Sequence, residues 1–263
     1  DSVLIPGAGA GRFACEMAGK YDNAFAFDYS VHITQIFYDL LQRDLSPHRI
    51  NFRSNVKNTE DVEIRNLVKN LYESSADSLY SLAITGGGVK VVDWLLSVPG
   101  ASNRILEVVV PYSTPSLTKY LGKSIERSVS LETALILANK AYKEAKQKHP
   151  DKNHFVGIGV TASLDTNRLK RSQNKFYMVA KSDKKLLGYC AIFSKGLRDR
   201  STEDQITSRA ILSLMYEVAG LKNNIEMNLF EDDQFIRYSR LEFMIDELFQ
   251  GKKDYIFVDP SGL

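Results

Sequence analysis

The order of the residues predicts an α/β layered fold. Short apolar, β-branched runs alternate along the chain with longer segments of helical spacing, the pattern of a sheet covered by helices. Two of the runs, VLIP (3–6) and LYSLAIT (79–85), lead directly into glycine-rich loops that open the next helical segment. At 263 residues, 44% hydrophobic and 25% charged, the chain has the composition of one large globular domain or two small ones.

In chain order, VLIP is the first strand and FACEMAGKY (13–21) has helical spacing. AFAFD (24–28) is a second strand, and residues 31–44 read as an amphipathic helix. Together they form a partial Rossmann-like β-α-β-α segment over residues 1–50. Residues 46–62 are polar, with Pro47 and three asparagines, and read as a linker. Residues 63–74 are helical, LYSLAIT is a strand, and 88–100 is a helix with Pro99-Gly100 as its stop signal. ILEVVVPY (105–112) is a β-branched strand, and a long helix follows over 130–148, with Ser130 placed to cap it. HFVGIGVTAS (154–163) is a strand, and residues 174–193 form a hairpin that turns near Ser182 and Asp183. Residues 203–220 are a helix ended by Gly220. The expected second domain spans residues 56–222, and 223–263 form an acidic-aromatic extension.

Several function classes drop out on composition. With 34 basic and 32 acidic residues the net charge is +2, which gives no general pull toward nucleic acid or an anionic membrane. No apolar run reaches the ~18 residues of a membrane-crossing helix. Cys15 and Cys190 lie far apart, which favours a reducing, cytoplasmic setting over a disulfide scaffold. His32, His48, His149 and His154 show no metal-ligand spacing, so no metal site is expected. The chain opens on Asp1 inside a strand-like run, which leaves a preceding targeting segment open.

The first glycine loop places Gly7, Gly9 and Gly11 between a strand and a helix, with Asp28 ending the next strand. Glycines there let the backbone approach a ligand, and an acid at that spacing can accept hydrogen bonds from ribose hydroxyls. VLIPGAGAGRFACEMA resembles the first motif of S-adenosylmethionine-dependent methyltransferases of the carnosine N-methyltransferase (N2227-like) type. The resemblance covers only about residues 1–45. It implies S-adenosylmethionine contacts from Gly7, Gly9, Gly11 and Asp28 within a truncated domain.

The second glycine loop belongs to a longer pattern, TGGG (85–88), VPGAS (98–102) and PYSTPSLTKYLG (111–122). This pattern resembles the C-terminal domain of CinA, the nicotinamide-nucleotide amidase family, over about residues 60–220. The wording of the segments is most similar to a eukaryotic branch of CinA-like proteins. That branch implies a following nucleotidyltransferase-like domain, with YIFVDPSGL (255–263) as its approach. The resemblance implies a three-layer α/β/α fold, no required cofactor, a pyridine mononucleotide as ligand and a homo-oligomer. The ligand contacts it implies are Thr85, Gly86, Gly87, Gly88, Tyr112 and Ser113.

The family's chemistry needs a serine nucleophile and a lysine base with loop amides to stabilise an oxyanion. Here the nucleophile position falls on Ala83 and the lysine position on Leu117, while Tyr112 is retained. A third motif, which carries glycines and a proline in the family, reads Thr161-Ala162-Ser163. The expectation is therefore a degenerate domain that binds a nucleotide-type ligand or serves assembly. Two alternatives are an active nicotinamide mononucleotide deamidase using the displaced Ser81 and Lys119, and a methyltransferase carried by residues 1–50. Arg168, Lys170 and Arg171 form a basic cluster read as a solvated edge, and Arg198 and Arg200 are candidates for a phosphate or interface role. Trp94 and Cys190 read as core.

Overall fold

The computed structural model describes residues 2–6, 23–27, 59–74, 76–167 and 172–239. Gly7, Gly9, Gly11, Asp28, the helix expected over 31–44, the Arg168/Lys170/Arg171 cluster and the YIFVDPSGL segment lie outside these residues. The chain divides into two compact units, Asp1–Ile64 and Arg65–Leu263. In the first, β1 (Ser2–Pro6) and β2 (Asn23–Phe27) pair in parallel, with Leu4 opposite Phe25. Parallel neighbours need a crossover connection between them, which the 7–22 segment is long enough to supply.

The second unit is built on one six-stranded sheet. Its strands are β3 (Leu79–Thr85), β4 (Ile105–Val109), β5 (Phe155–Ser163), β6 (Asn174–Lys181), β7 (Leu186–Phe193) and β8 (Gln234–Tyr238). The spatial order is β4-β3-β5-β6-β7-β8. β4, β3 and β5 run parallel, and β6 to β8 continue as an antiparallel meander. β3 and β5 are buried along nearly their whole length, so they read as unbroken apolar runs rather than alternating ones. β8 lies beyond residue 222 and pairs with β7, so the sheet runs into the segment that the sequence sets apart as an extension.

Among the described residues five α-helices accompany the sheet: α1 (Thr59–Glu73), α2 (Lys90–Leu96), α3 (Thr114–Leu121), α4 (Leu131–Lys148) and α5 (Arg200–Ala219). Side-chain alternation on the strands sorts them into layers. Odd-numbered β3 and β5 residues face α4: Leu79 and Phe155 pack with Tyr142 and Ala145, and Ala83 packs with Leu137 and Ala141. α4 lies so close to β5 that a Cβ on Gly159 would overlap the Ala134 carbonyl oxygen. Val160, on the opposite face, lies beside Ile211 of α5 near the glycine loop. The result is a three-layer α/β/α arrangement with α3 and α4 on one face and α5 on the other.

Local signals set the helix ends. Ser130 caps α4 by accepting the Thr133 N–H at 3.1 Å, and Gly220 closes α5 in the left-handed conformation. Trp94 departs from the expectation: it is half-exposed on α2, while Leu95 beside it is buried and Leu96 faces solvent. A seven-residue helix has room for only a narrow buried stripe, which Val91 and Leu95 fill. Among the described residues no helix is long and apolar enough to cross a membrane.

Candidate functional site

The C-terminal ends of the three parallel strands bring three loops together, the usual location of a ligand crevice in an open α/β sheet. Residues 86–89 follow β3, Pro111–Ser113 follow β4, and Leu164–Asp165 follow β5. The first turns of α5 complete the group. Thr85 Oγ1 donates to Pro111 O at 3.0 Å and ties the first two loops. Asp165 N–H donates to Glu203 Oε2 at 2.6 Å and ties the third loop to α5.

The glycine loop is tightly enclosed. Gly86 has φ +82°, and a Cβ there would overlap the Ala162 carbonyl oxygen, so any other residue is excluded both by backbone strain and by contact. Three successive amides at the end of the loop are satisfied from within the chain. Asp204 Oδ1 accepts from Gly88 N at 2.7 Å and Val89 N at 3.3 Å, and its Oδ2 accepts from Lys90 N at 3.2 Å. A carboxylate from α5 therefore stands where the sequence reading expects loop amides to stabilise an oxyanion. Beside it Glu203 is buried and also accepts from Asn174 Nδ2 at 2.7 Å. Neither acid stands out in the sequence. The signal for them is a Glu-Asp pair inside a helix whose following residues, Ile206, Ala210 and Ile211, are core.

Arg200 spans all three loops. Its Nη2 donates to Gly86 O at 2.9 Å and to the Tyr112 hydroxyl at 3.3 Å, and its Nη1 donates to Asp165 O at 3.1 Å. Tyr112 is 66% exposed, so its ring stands open at the rim. Ser113 caps α3 by accepting the Ser116 N–H at 3.2 Å, and Thr85 is buried with its hydroxyl engaged. Gly87 packs on Leu164. Of the six ligand positions expected from sequence, Tyr112 and Ser113 are the exposed ones.

The two positions where the resemblance implies a serine and a lysine do meet. Ala83 (0% exposed) and Leu117 (3%) belong to one apolar cluster with Leu137 and Ala141. Val109, Tyr120, Leu121 and Ile125 pack against it from the side. A cleft of about 450 Å3 opens between the 123–127 loop and the first turn of α4, and Ile125 lines it while also packing on the cluster. The displaced pair does not meet in the same way. Ser81 is buried on the face of β3 that carries Ala83. Lys119 lies on helix α3, where two positions turn it about 200° from Leu117 and out to solvent. A displacement of two residues keeps Ser81 on the same strand face as Ala83, whereas on a helix it turns Lys119 away from Leu117.

The VPGAS segment lies at the other end of the sheet. Gly100 and the short 3-10 turn Ala101–Asn103 precede β4, and Arg104 donates to the backbone oxygens of Tyr72 and Ser74 and to Asp77. Arg198 is equally engaged: it pairs with Asp233 at 2.6 Å, with both side chains shielded from solvent. Cys190 is buried on β7, and burial pushes its thiol pKa up, away from the reactive thiolate form. No group of three or more His, Cys, Asp or Glu side chains among the described residues is arranged to hold a metal ion.

With this geometry in place, comparison with solved structures identifies the fold. The domain is CinA-like in fold. The competence/damage inducible protein CihA from Agrobacterium tumefaciens is similar at 18% identity and a TM-score of 0.50, over 59% of this chain and 95% of that one. A CinA superfamily protein from Escherichia coli matches at 17% identity and a TM-score of 0.47, over 59% of this chain and 90% of that one. At such identities the likeness speaks to fold alone. No protein-family model matches the chain, and no curated protein does.

Proposed function

We propose that the second unit is a catalytically degenerate relative of the nicotinamide-nucleotide amidases that binds a nucleotide-type ligand at the C-terminal edge of its sheet. One observation carries the reading. The positions that the resemblance assigns to nucleophile and base, Ala83 and Leu117, are buried in one apolar cluster with Leu137 and Ala141. Attack on a carboxamide needs a nucleophile and a base in a solvated or substrate-filled site, and this cluster offers neither. The exposed position of Lys119 supports the same reading against the displaced pair Ser81/Lys119. The Tyr112 ring and the Arg200 guanidinium remain at the rim to meet a ligand.

Two measurements on the full chain test this together. Ammonia release from nicotinamide mononucleotide should stay at the uncatalysed rate. Thermal unfolding with the same compound should shift upward, since a ligand at 100 times its Kd adds about 2.7 kcal/mol. Turnover that disappears in Ser81→Ala or Lys119→Ala would establish the displaced-group amidase instead. Absence of any shift would remove the pyridine-nucleotide reading.

A second reading concerns the first unit. The parallel pairing of β1 with β2 supports a βαβ start of the kind that the methyltransferase resemblance implies. Equilibrium dialysis with S-adenosylmethionine tests it: retention lost on Asp28→Ala supports the reading, and no retention ends it.

A further inference from the structure

Two independent features of the site bear on how it treats charge. Three successive amides at the end of the glycine loop, where an anionic group would be expected, already have a carboxylate: Asp204 accepts from Gly88, Val89 and Lys90. A second anion brought to those amides would meet Asp204 head-on, and like charges in a partly buried setting repel strongly. The other feature is Arg200. Its guanidinium makes three hydrogen bonds, all to uncharged oxygens, those of Gly86, Asp165 and Tyr112. None of the ion pairs among the described residues includes it. Arg198, two residues earlier, is the contrast: its charge is closed off by Asp233 and sandwiched against Phe230.

A guanidinium has five N–H donors in a planar fork, so Arg200 keeps donors for a further acceptor. It is held rigidly by three loops at the mouth of the crevice, which lowers the ordering cost of binding. The hydroxyl it contacts belongs to Tyr112, whose ring is open for stacking against a planar group. We infer that Arg200, and not the glycine loop, is the anion-reading group of this site. The ligand it selects carries one acidic group beside a planar ring that lies against Tyr112. This inference rests on the proposed ligand-binding role of the same crevice and adds which residue reads which part of the ligand.

The experiment compares nicotinamide mononucleotide with nicotinamide riboside, which has the same ring and sugar without the phosphate. Isothermal titration is run on the full chain and on Arg200→Gln, Arg200→Lys, Tyr112→Leu and Asp204→Asn. The wild type should prefer the mononucleotide by tenfold or more, with the preference shrinking as salt rises. Arg200→Gln should abolish the preference by weakening the mononucleotide more than the riboside, and Arg200→Lys should retain part of it. Tyr112→Leu should weaken both compounds alike. If Arg200→Gln does not fold, Arg200→Lys and the salt dependence of the wild type carry the test.

A preference that persists in Arg200→Gln overturns the inference. So does Asp204→Asn raising mononucleotide affinity in the absence of Arg200, because the anion would then belong to the loop. Equal binding of the two compounds by the wild type overturns this assignment and leaves the ligand-binding reading standing. Binding of neither removes both.

Discussion

The two faces of one sheet end in opposite chemistry. Under α4, the C-terminal half of β3 ends in a closed apolar cluster of Ala83, Leu117, Leu137 and Ala141. Toward α5, a few ångströms across the same strand, the ends of β3, β4 and β5 are joined by Asp204, Glu203 and Arg200 through hydrogen bonds. The first face holds the positions where the family resemblance implies chemistry and has none. The second has the polar groups and uses most of them to hold itself together. A shared fold keeps two positions adjacent whether or not their residues react, so adjacency alone says nothing about catalysis.

The largest way to break this contrast is to restore charge on the apolar face. Leu117→Lys would place an ammonium among the buried side chains of Ala83, Leu137 and Ala141, which should cost about 3–5 kcal/mol by analogy with other uncompensated buried charges. Urea unfolding of the single variant and of the Ala83→Ser/Leu117→Lys double variant would measure it. If the lysine is accepted at little cost, the cluster is wetter than its packing indicates. On the polar face, Asp204→Ala leaves three loop amides without their acceptor and should cost about 3 kcal/mol. A loss well below 1 kcal/mol would mean that water replaces the carboxylate freely.

A third prediction uses acid. Burial opposes ionisation of Asp233, but hydrogen bonds from Arg198 and from the Ser194 and Phe230 N–H groups outweigh it and hold the carboxyl below its usual value. The folded pKa is thus depressed relative to the unfolded chain. The stabilisation is complete above an unfolded pKa of about 3.9 and is lost as pH falls through the folded value. Stability of the wild type should therefore drop below about pH 4. Asp233→Asn should be less stable at pH 7 and lose that part of the slope, read by chemical unfolding at both pH values. The smallest effect returns to the α4 side: Ser130→Ala removes one cap from a long, well-packed helix and should cost about 1 kcal/mol.

Much of the fold was legible in the residues. The strand at LYSLAIT, the long helix behind Ser130, the hairpin at Ser182-Asp183 and the helix stop at Gly220 each rest on local signals, periodicity or capping or turn chemistry, and each is found where those signals place it. Of the candidate site, the lack of a nucleophile at Ala83 and of a base at Leu117 was legible, because both follow from side-chain identity. The engagement of the loop amides was not. Asp204 lies 116 residues from Gly88, and no pattern near either residue announces the contact. The same holds for β8, whose QFIRY run is short and half-exposed, and whose place in the sheet depends on the β7 edge and on the Arg198–Asp233 lock.

The sequence by itself determined which segments become strands and helices, because the signals for these act over a few residues and survive without knowledge of neighbours. It also determined that Ala83 and Leu117 have no nucleophile and no base, since that is a matter of side-chain chemistry alone. Only the tertiary structure decided that Lys119 points to solvent, that Asp204 accepts from the Gly88, Val89 and Lys90 amides and that Arg200 has no ion-pair partner among the described residues. Those outcomes depend on which side chains from distant parts of the chain arrive at the same strand ends. Electrostatic satisfaction is a property of that arrival and not of any stretch read alone.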